Sequence, residues 1–227
     1  MPATNEAQGQ LPSVALCIGG GDALDWPKVL HDAGDTHALE HQGRVFLHSP
    51  SIDATSSKQD AETVGKELLG NLNGLMAAFH GYEPVEYIGL AELQGSGAYA
   101  VTQSLSGTVK TRFRATARLS GGGRPEVLVL ADKLSQQPLL ADAAYFYGKA
   151  TGWFELYFAI ESLVRYAGTE DQFKKSGWGA GANLGHLKQT ANFHRHAYAA
   201  RPAKEMSWNA SYKLTGIALL SAIASSP

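Results

Sequence analysis

Four polar side chains stand within five residues near the C-terminal end of the chain: Asn192, His194, Arg195 and His196. An imidazole exchanges protons near neutral pH, and a guanidinium binds phosphate through paired N–H donors. The segment lies between two stretches with helical apolar spacing, so we expect it to be held at a helix start. Such groups can orient a phosphodiester, a base or a metal ion. They can equally cap the helix by bonding to free backbone groups.

An acid accompanies this segment in an earlier helical pattern. Glu161 interrupts an otherwise apolar stretch at residues 153–167, and Asn192 and His196 are four residues apart, which places them on one helix face. With these residues the helical half, residues 134–225, resembles the HEPN superfamily of helical bundles, many of which are metal-independent ribonucleases of toxin and antiviral systems. The superfamily's motif is Arg-Asn-x-x-x-His near the start of a late helix, preceded by a helix that carries a core acid.

The resemblance implies a role for each matching residue. Asn192 and His196 match the motif's Asn and His, and Glu161 matches the acid. His196 would act as general acid or base, Asn192 would position it, and Glu161 would hold the cluster in place. Ala191 stands where the motif has arginine, and Arg195 would take over the phosphate contact.

The missing arginine determines the activity that we expect. Without that guanidinium nothing at the motif position stabilises the charge that develops on the phosphorane. The resemblance therefore implies an RNA-associated, homodimeric protein of a stress or phage-defence system, with weak or absent ribonuclease activity. The alternative is a non-catalytic interaction or oligomerisation module that buries aromatic side chains in a homodimer or against another subunit. The aromatic residues concerned are Trp153, Trp178, Trp208 and Tyr212.

A second cationic group lies on a predicted strand. Alternate residues of that strand carry positive charges on one face, because side chains alternate along a strand. They are Lys110, Arg112, Arg114 and Arg118. This face could contact the phosphates of a nucleic acid, or it is the solvated side of a half-buried antiparallel sheet.

Histidines elsewhere raise the question of a metal site. His37, Glu40 and His41 match the His-x-x-Glu-His pattern of inverted zinc proteases, which makes a metal-binding hydrolase a minor alternative. That pattern needs a stable helix, and only eight residues separate Gly34 from Gly43, so we expect an exposed turn.

The remaining candidates have simpler explanations. His186, His194 and His196 have no acid at a suitable spacing to complete a metal site, and residues 19–22 and 95–97 are glycine-rich turns or loops. We therefore expect neither a metal nor another cofactor.

Hydrophobic periodicity supplies the elements that position these groups. Strands are predicted at residues 14–18, 44–48 and 127–130, with a hairpin at 99–105 and 109–117. Helices are predicted at residues 60–80, 134–147 with a break at Pro138, 153–167, 184–195 and after Pro202. The predicted class is α+β: a small mixed or antiparallel sheet with one long helix, then an α-helical bundle. The predicted regions are a flexible tail (1–12), an α+β region (13–133) and a helical bundle (134–227).

Composition limits the function classes. The chain has 227 residues, 44% of them hydrophobic, and 19 basic against 21 acidic side chains give a net charge of -2. No global field attracts nucleic acid, so any RNA contact must be local. Cys17 is a single cysteine, which excludes an internal disulfide and a thiolate zinc site. Neither a secretory signal nor a membrane-spanning run is evident, so we expect a cytoplasmic protein whose partners are RNA and a second copy or another subunit.

Overall fold

The computed structural model describes residues 14–31, 35–94, 98–103, 125–179, 183–196, 201–203 and 205–227. The strands are β1 (Val14–Gly19), β2 (His37–His41), β3 (Arg44–His48), β4 (Glu86–Leu93) and β5 (Tyr99–Gln103). The helices are α1 (Trp26–Val29), α2 (Pro50–Asp53), α3 (Lys58–His80), α4 (Glu126–Ser135), α5 (Pro138–Lys149), α6 (Trp153–Ala167), α7 (Glu170–Lys175), α8 (Leu184–Arg195) and α9 (Trp208–Ser225). The predicted α+β class, with its long helix and helical C-terminal region, is confirmed. None of the helices described has the length and apolarity needed to cross a membrane.

Close contacts group the described residues into two units. Residues 14–66 and 86–103 form the first, and residues 67–85 and 125–227 form the second. The division falls within α3, whose first turns group with the sheet and whose remaining turns group with the other helices.

The first unit is built on an antiparallel sheet of five strands in the order β2-β3-β1-β4-β5. Leu16 in the central strand pairs with Leu47 on one side and Leu90 on the other, so these residues share one face. The first turns of α3 approach that face at Gly65. A Cβ at Gly65 would lie 2.6 Å from Leu16 Cδ2, so glycine is what permits this close approach.

One sequence prediction for this unit is wrong for a local reason. Residues 37–41 form strand β2 rather than an exposed turn, and His37 is only 8% exposed. A two-residue turn joins β2 to β3, and its residues Gln42 and Gly43 have φ of 52° and 75°. Positive φ at both positions is typical of a tight hairpin, but Gln is an uncommon residue there. In a strand Glu40 points away from the face that carries His37 and His41, so the zinc-protease arrangement does not form.

The second unit is a bundle of helices around α6. The helix α6 packs against α5, α7, α8 and α9, and its buried side follows the predicted spacing through Leu156, Ile160 and Leu163. The helix stops at Gly168, where φ is 96°. The predicted break at Pro138 is confirmed, since α4 ends at Ser135 and α5 begins at the proline.

The strand predicted at residues 127–130 is instead part of helix α4. The run Val127 to Leu130 is apolar and short, and periodicity alone does not separate such a run from a buried helix segment. The residue that distinguishes the two lies one turn later: Leu134 is also buried and continues the spacing of a helix.

The helices α3 and α5 come into backbone contact at two glycines. A Cβ at Gly74 would lie 2.0 Å from the carbonyl oxygen of Ala144, and a Cβ at Gly148 would lie 2.5 Å from the backbone nitrogen of Gly74. Neither neighbour is a flexible side chain that can move aside. The two helices therefore keep this separation only while both positions lack a side chain.

We expect Gly74→Ala to destabilise the protein by about 3 kcal/mol, because the added methyl group forces two backbones apart. This loss outweighs the gain of about 1 kcal/mol that alanine brings to a helix interior. Gly185→Ala in α8 is the matched control, since a Cβ there meets no atom within 4 Å. Urea unfolding of both variants measures the difference, and equal stabilities would contradict the close approach.

Candidate functional site

Two of the predicted site residues, Glu161 and Arg195, lie along the contact between α6 and α8. Three side chains of α6, spaced by four residues, each meet a side chain of α8, and we call these six residues the α6–α8 seam. Its members are Trp153, Tyr157 and Glu161 on α6, and Lys188, His194 and Arg195 on α8. The first residue of α6 meets the last turn of α8, so the two helices run antiparallel.

Glu161 forms one end of the α6–α8 seam. The Lys188 ammonium lies 2.6 Å from Glu161 Oε1 and also pairs with Glu170 of α7. Burial alone would lower the pKa of Lys188, but hydrogen bonds to the two carboxylates outweigh it and raise the pKa. The bond from Lys188 likewise lowers the pKa of Glu170. Lys188 therefore stays charged, and its ammonium is the charge partner of Glu161.

Arg195 lies in the middle of the seam. Its Cζ is 3.9 Å from the centre of the Tyr157 ring, and its Nη2 donates a 3.1 Å hydrogen bond to Asn192 Oδ1. Among the described residues no carboxylate pairs with this guanidinium, and its Nε has no acceptor. Arg195 is thus oriented by an aromatic face and an amide; its Nε is buried, and the remaining donors that no described residue uses are on Nη1 and Nη2.

His196 is exposed and ends α8 as its C-cap residue, with φ of -121° and ψ of 120°. Its backbone N–H donates to Asn192 O at 3.0 Å, and its side chain has no polar partner in the part of the chain that the structure describes. The expectation that these polar groups open a helix is therefore wrong, because they close one. At this end the helix dipole favours cations, and an anion must be attracted by side chains.

Three of the four predicted catalytic residues lie together in the structure, and the fourth, Glu161, lies apart from them. Asn192, Arg195 and His196 share the last turn of α8. No contact among the described residues joins Glu161 to Asn192 or His196. Ala191, at the motif's arginine position, is 0% exposed, so a long charged side chain has no room there.

His194 forms the other end of the seam and was not assigned a catalytic or binding role from the sequence. Its ring stacks on Trp153 with 4.9 Å between centroids and 5° between planes. Its Nε2 lies 2.5 Å from Glu205 Oε1, and Glu205 also accepts a 3.0 Å bond from Arg201 Nη2. The four-residue spacing of Trp153, Tyr157 and Glu161 was the sequence signal for the seam.

The aromatic residues predicted for a subunit interface have partners within the chain. Trp208 meets Trp153 at 5.3 Å and Tyr212 at 5.7 Å between ring centroids. Trp178 stacks on Tyr166 and donates to the Ser225 hydroxyl at 3.1 Å. Trp153, Trp178, Trp208 and Tyr212 therefore all contact other residues of the same helical unit.

The other candidates lie elsewhere or outside the described residues. In the turn after β1, Gly20 and Gly21 have φ of 69° and 44°, the geometry of a tight turn. Nowhere in the described ranges do three or more His, Cys, Asp or Glu side chains form a group that could hold a metal ion. The cationic strand and the 95–97 loop lie outside the described residues. The strand's cations are Lys110, Arg112, Arg114 and Arg118.

Comparisons with protein-family models, with curated proteins and with solved structures find no match to this chain. The function proposed below therefore rests on the geometry of the site.

We expect Lys188→Met to lower the free energy of unfolding by about 1–2 kcal/mol at neutral pH, because it leaves the half-buried Glu161 without its partner. Lys188 also pairs with Glu170, whose pKa is lowered from 4.5. The Lys188–Glu170 pair therefore stabilises the fold above pH 4.5, and this stabilisation fades as the pH falls further. Urea unfolding at neutral and acidic pH measures both effects.

The control for this variant is Lys213→Met, which removes an exposed lysine of α9 and should change stability by about 0.5 kcal/mol or less. A Lys188→Met loss that is equally large at pH 7 and well below pH 4.5 would show that packing of the lysine stem, not charge, is responsible.

Proposed function

We propose that the protein is a cytoplasmic, RNA-associated protein with a HEPN-like helical region, and that it binds the RNA backbone at the last turn of α8 with weak or absent cleavage. Arg195 contacts a phosphate, and the exposed His196 and the amide of Asn192 flank it. The observation that carries this proposal is the Arg195 guanidinium, held on the Tyr157 ring with no carboxylate partner among the described residues.

The environment of Arg195 suits a phosphate ligand. A guanidinium presents a planar fork of N–H donors that matches phosphate oxygens, and Arg195 uses one Nη2 donor on Asn192, while its Nε is buried and its other Nη donors have no described partner. Stacking on Tyr157 restricts the side chain before the ligand arrives, so less entropy is lost on binding. The C-terminal helix dipole works against an anion, which limits the affinity that this site can reach.

The same geometry argues against efficient cleavage. Attack by a ribose 2′-hydroxyl on the phosphorus needs a base, an acid for the leaving oxygen and a group that stabilises the phosphorane. His196 can serve as one proton-transfer group. Glu161 is held by Lys188, and the motif's arginine position is occupied by the buried Ala191. One imidazole and one phosphate contact support binding better than catalysis.

A different observation favours a second candidate function, a non-catalytic protein interaction module. Phe154 on α6 is 54% exposed, although its ring contacts Phe158 at 4.8 Å between centroids. Phe158 in turn stacks on Phe146 of α5. Exposed aromatic clusters of this kind are favoured at protein interfaces.

We expect Arg195→Gln to weaken binding of a fluorescein-labelled single-stranded RNA about tenfold, because it removes one charge-assisted phosphate contact. The slope of log affinity against log salt should fall by about 0.7 for the lost contact. Lys213→Gln removes the same charge from an exposed position on α9 and should leave the affinity unchanged. Fluorescence anisotropy measures all three proteins.

Equal affinities of wild type and Arg195→Gln would overturn the proposed RNA site. Incubation of the same RNA with wild type and His196→Ala tests the remaining question of cleavage. We expect both proteins to cleave at or near the background rate. Clear cleavage by wild type that His196→Ala abolishes would show an active ribonuclease.

The second candidate function has its own test in light scattering. If the Phe154 cluster joins two copies, wild type scatters as a species of twice 24.2 kDa and Phe154→Asp scatters as a monomer. Leu24→Asp, which alters a side chain that is 61% exposed in the first unit, is the control and should not change the mass. A monomeric wild type rules out self-association through this cluster.

A further inference from the structure

Glu205 lies between His194 and Arg201, beside the proposed RNA site. Its Oε1 lies 2.5 Å from Nε2 of His194, and its Oε2 accepts from Arg201 at 3.2 Å from Nε and 3.0 Å from Nη2. The two oxygens of one carboxylate thus meet an imidazole and a guanidinium. These are the side chains that bind phosphate oxygens in other contexts.

The His194 ring at this position is oriented independently of Glu205. Trp153 stacks on the His194 ring, so the imidazole stays in place when the carboxylate leaves. Trp153 and Tyr157, which support His194 and Arg195, are one turn apart on α6, about 6 Å along the helix axis. Neighbouring phosphates of one strand can therefore reach both supported side chains.

The contacts of Glu205 are also easy to exchange. The Arg201 side chain is 75% exposed, and ion pairs at such a surface stabilise a protein only slightly. The backbone of the segment is held separately, because Met206 N donates a 3.1 Å hydrogen bond to the buried hydroxyl of Thr190. The carboxylate can thus swing away while the chain around it stays on α8.

We propose that the Glu205 carboxylate occupies the place of a phosphate, and that His194 and Arg201 form a second phosphate contact, which RNA uses when it displaces Glu205. This inference rests on the proposed RNA binding and adds to it an internal competitor. RNA must replace one anion by another here, so Glu205 lowers the affinity of the site. Removing the charge of Glu205 removes the competitor and keeps both His194 and Arg201.

The experiment measures affinity for the same labelled single-stranded RNA by fluorescence anisotropy. We expect Glu205→Gln to bind about 3- to 10-fold more tightly than wild type. The gain is of this size because RNA no longer has to break a surface ion pair, which contributes only a small free energy. Adding Arg201→Gln to this variant should abolish the gain, because the second contact then lacks its guanidinium. Glu170→Gln is the control, since it also neutralises a glutamate that pairs with a residue of α8.

Each outcome separates this inference from the proposed function. A gain in Glu205→Gln that Glu170→Gln reproduces would mean a general charge effect and would overturn the inference. Unchanged affinity of Glu205→Gln, together with loss of affinity in Arg195→Gln, would overturn the inference and leave the RNA site standing. Absence of RNA binding by wild type and by every variant would overturn both.

Discussion

The packing of α6 against α8 is the constraint on which the candidate site depends. Both helices bury apolar side chains, among them Leu156 of α6 and Leu187 of α8. Burying one such side chain stabilises the protein by about 1.5–3 kcal/mol, whereas an exposed ion pair contributes about 0–1 kcal/mol. The apolar core therefore holds the helices together, and the polar and aromatic seam determines which groups face one another. Tyr157 can orient Arg195 because the core has already set their separation.

The three side chains that α8 contributes to the seam differ in their partners. Lys188 is neutralised by two carboxylates, and His194 shares Glu205 with Arg201. Arg195 has an amide and an aromatic ring instead of a carboxylate among its described neighbours. In a chain with a net charge of -2, attraction of a polyanion must arise from such local differences rather than from a global field. The proposed RNA binding depends on this difference between Arg195 and the other seam residues.

Elements with strong local signals were predictable, and elements whose form depends on distant partners were not. The repeated apolar spacing of α3 and α6, the stop at Gly168 and the start at Pro138 all follow from backbone and side-chain preferences within the element. The hairpin at β2 was missed because Gln42 carries a positive φ that few glutamines adopt. For α4, a four-residue apolar run fits a buried strand and a buried helix equally well.

The sequence by itself determined the class of fold, the main helices and the residues that concentrate chemistry at positions 192–196. It did so because hydrophobic periodicity and turn residues act over a few neighbouring positions. Only the tertiary structure decided which partners those residues have. Glu161 and Asn192 are far apart in the chain, and the pairing of Glu161 with Lys188 follows from the antiparallel packing of α6 and α8. The choice between a catalytic cluster and a phosphate contact depends on such pairings, which no local pattern encodes.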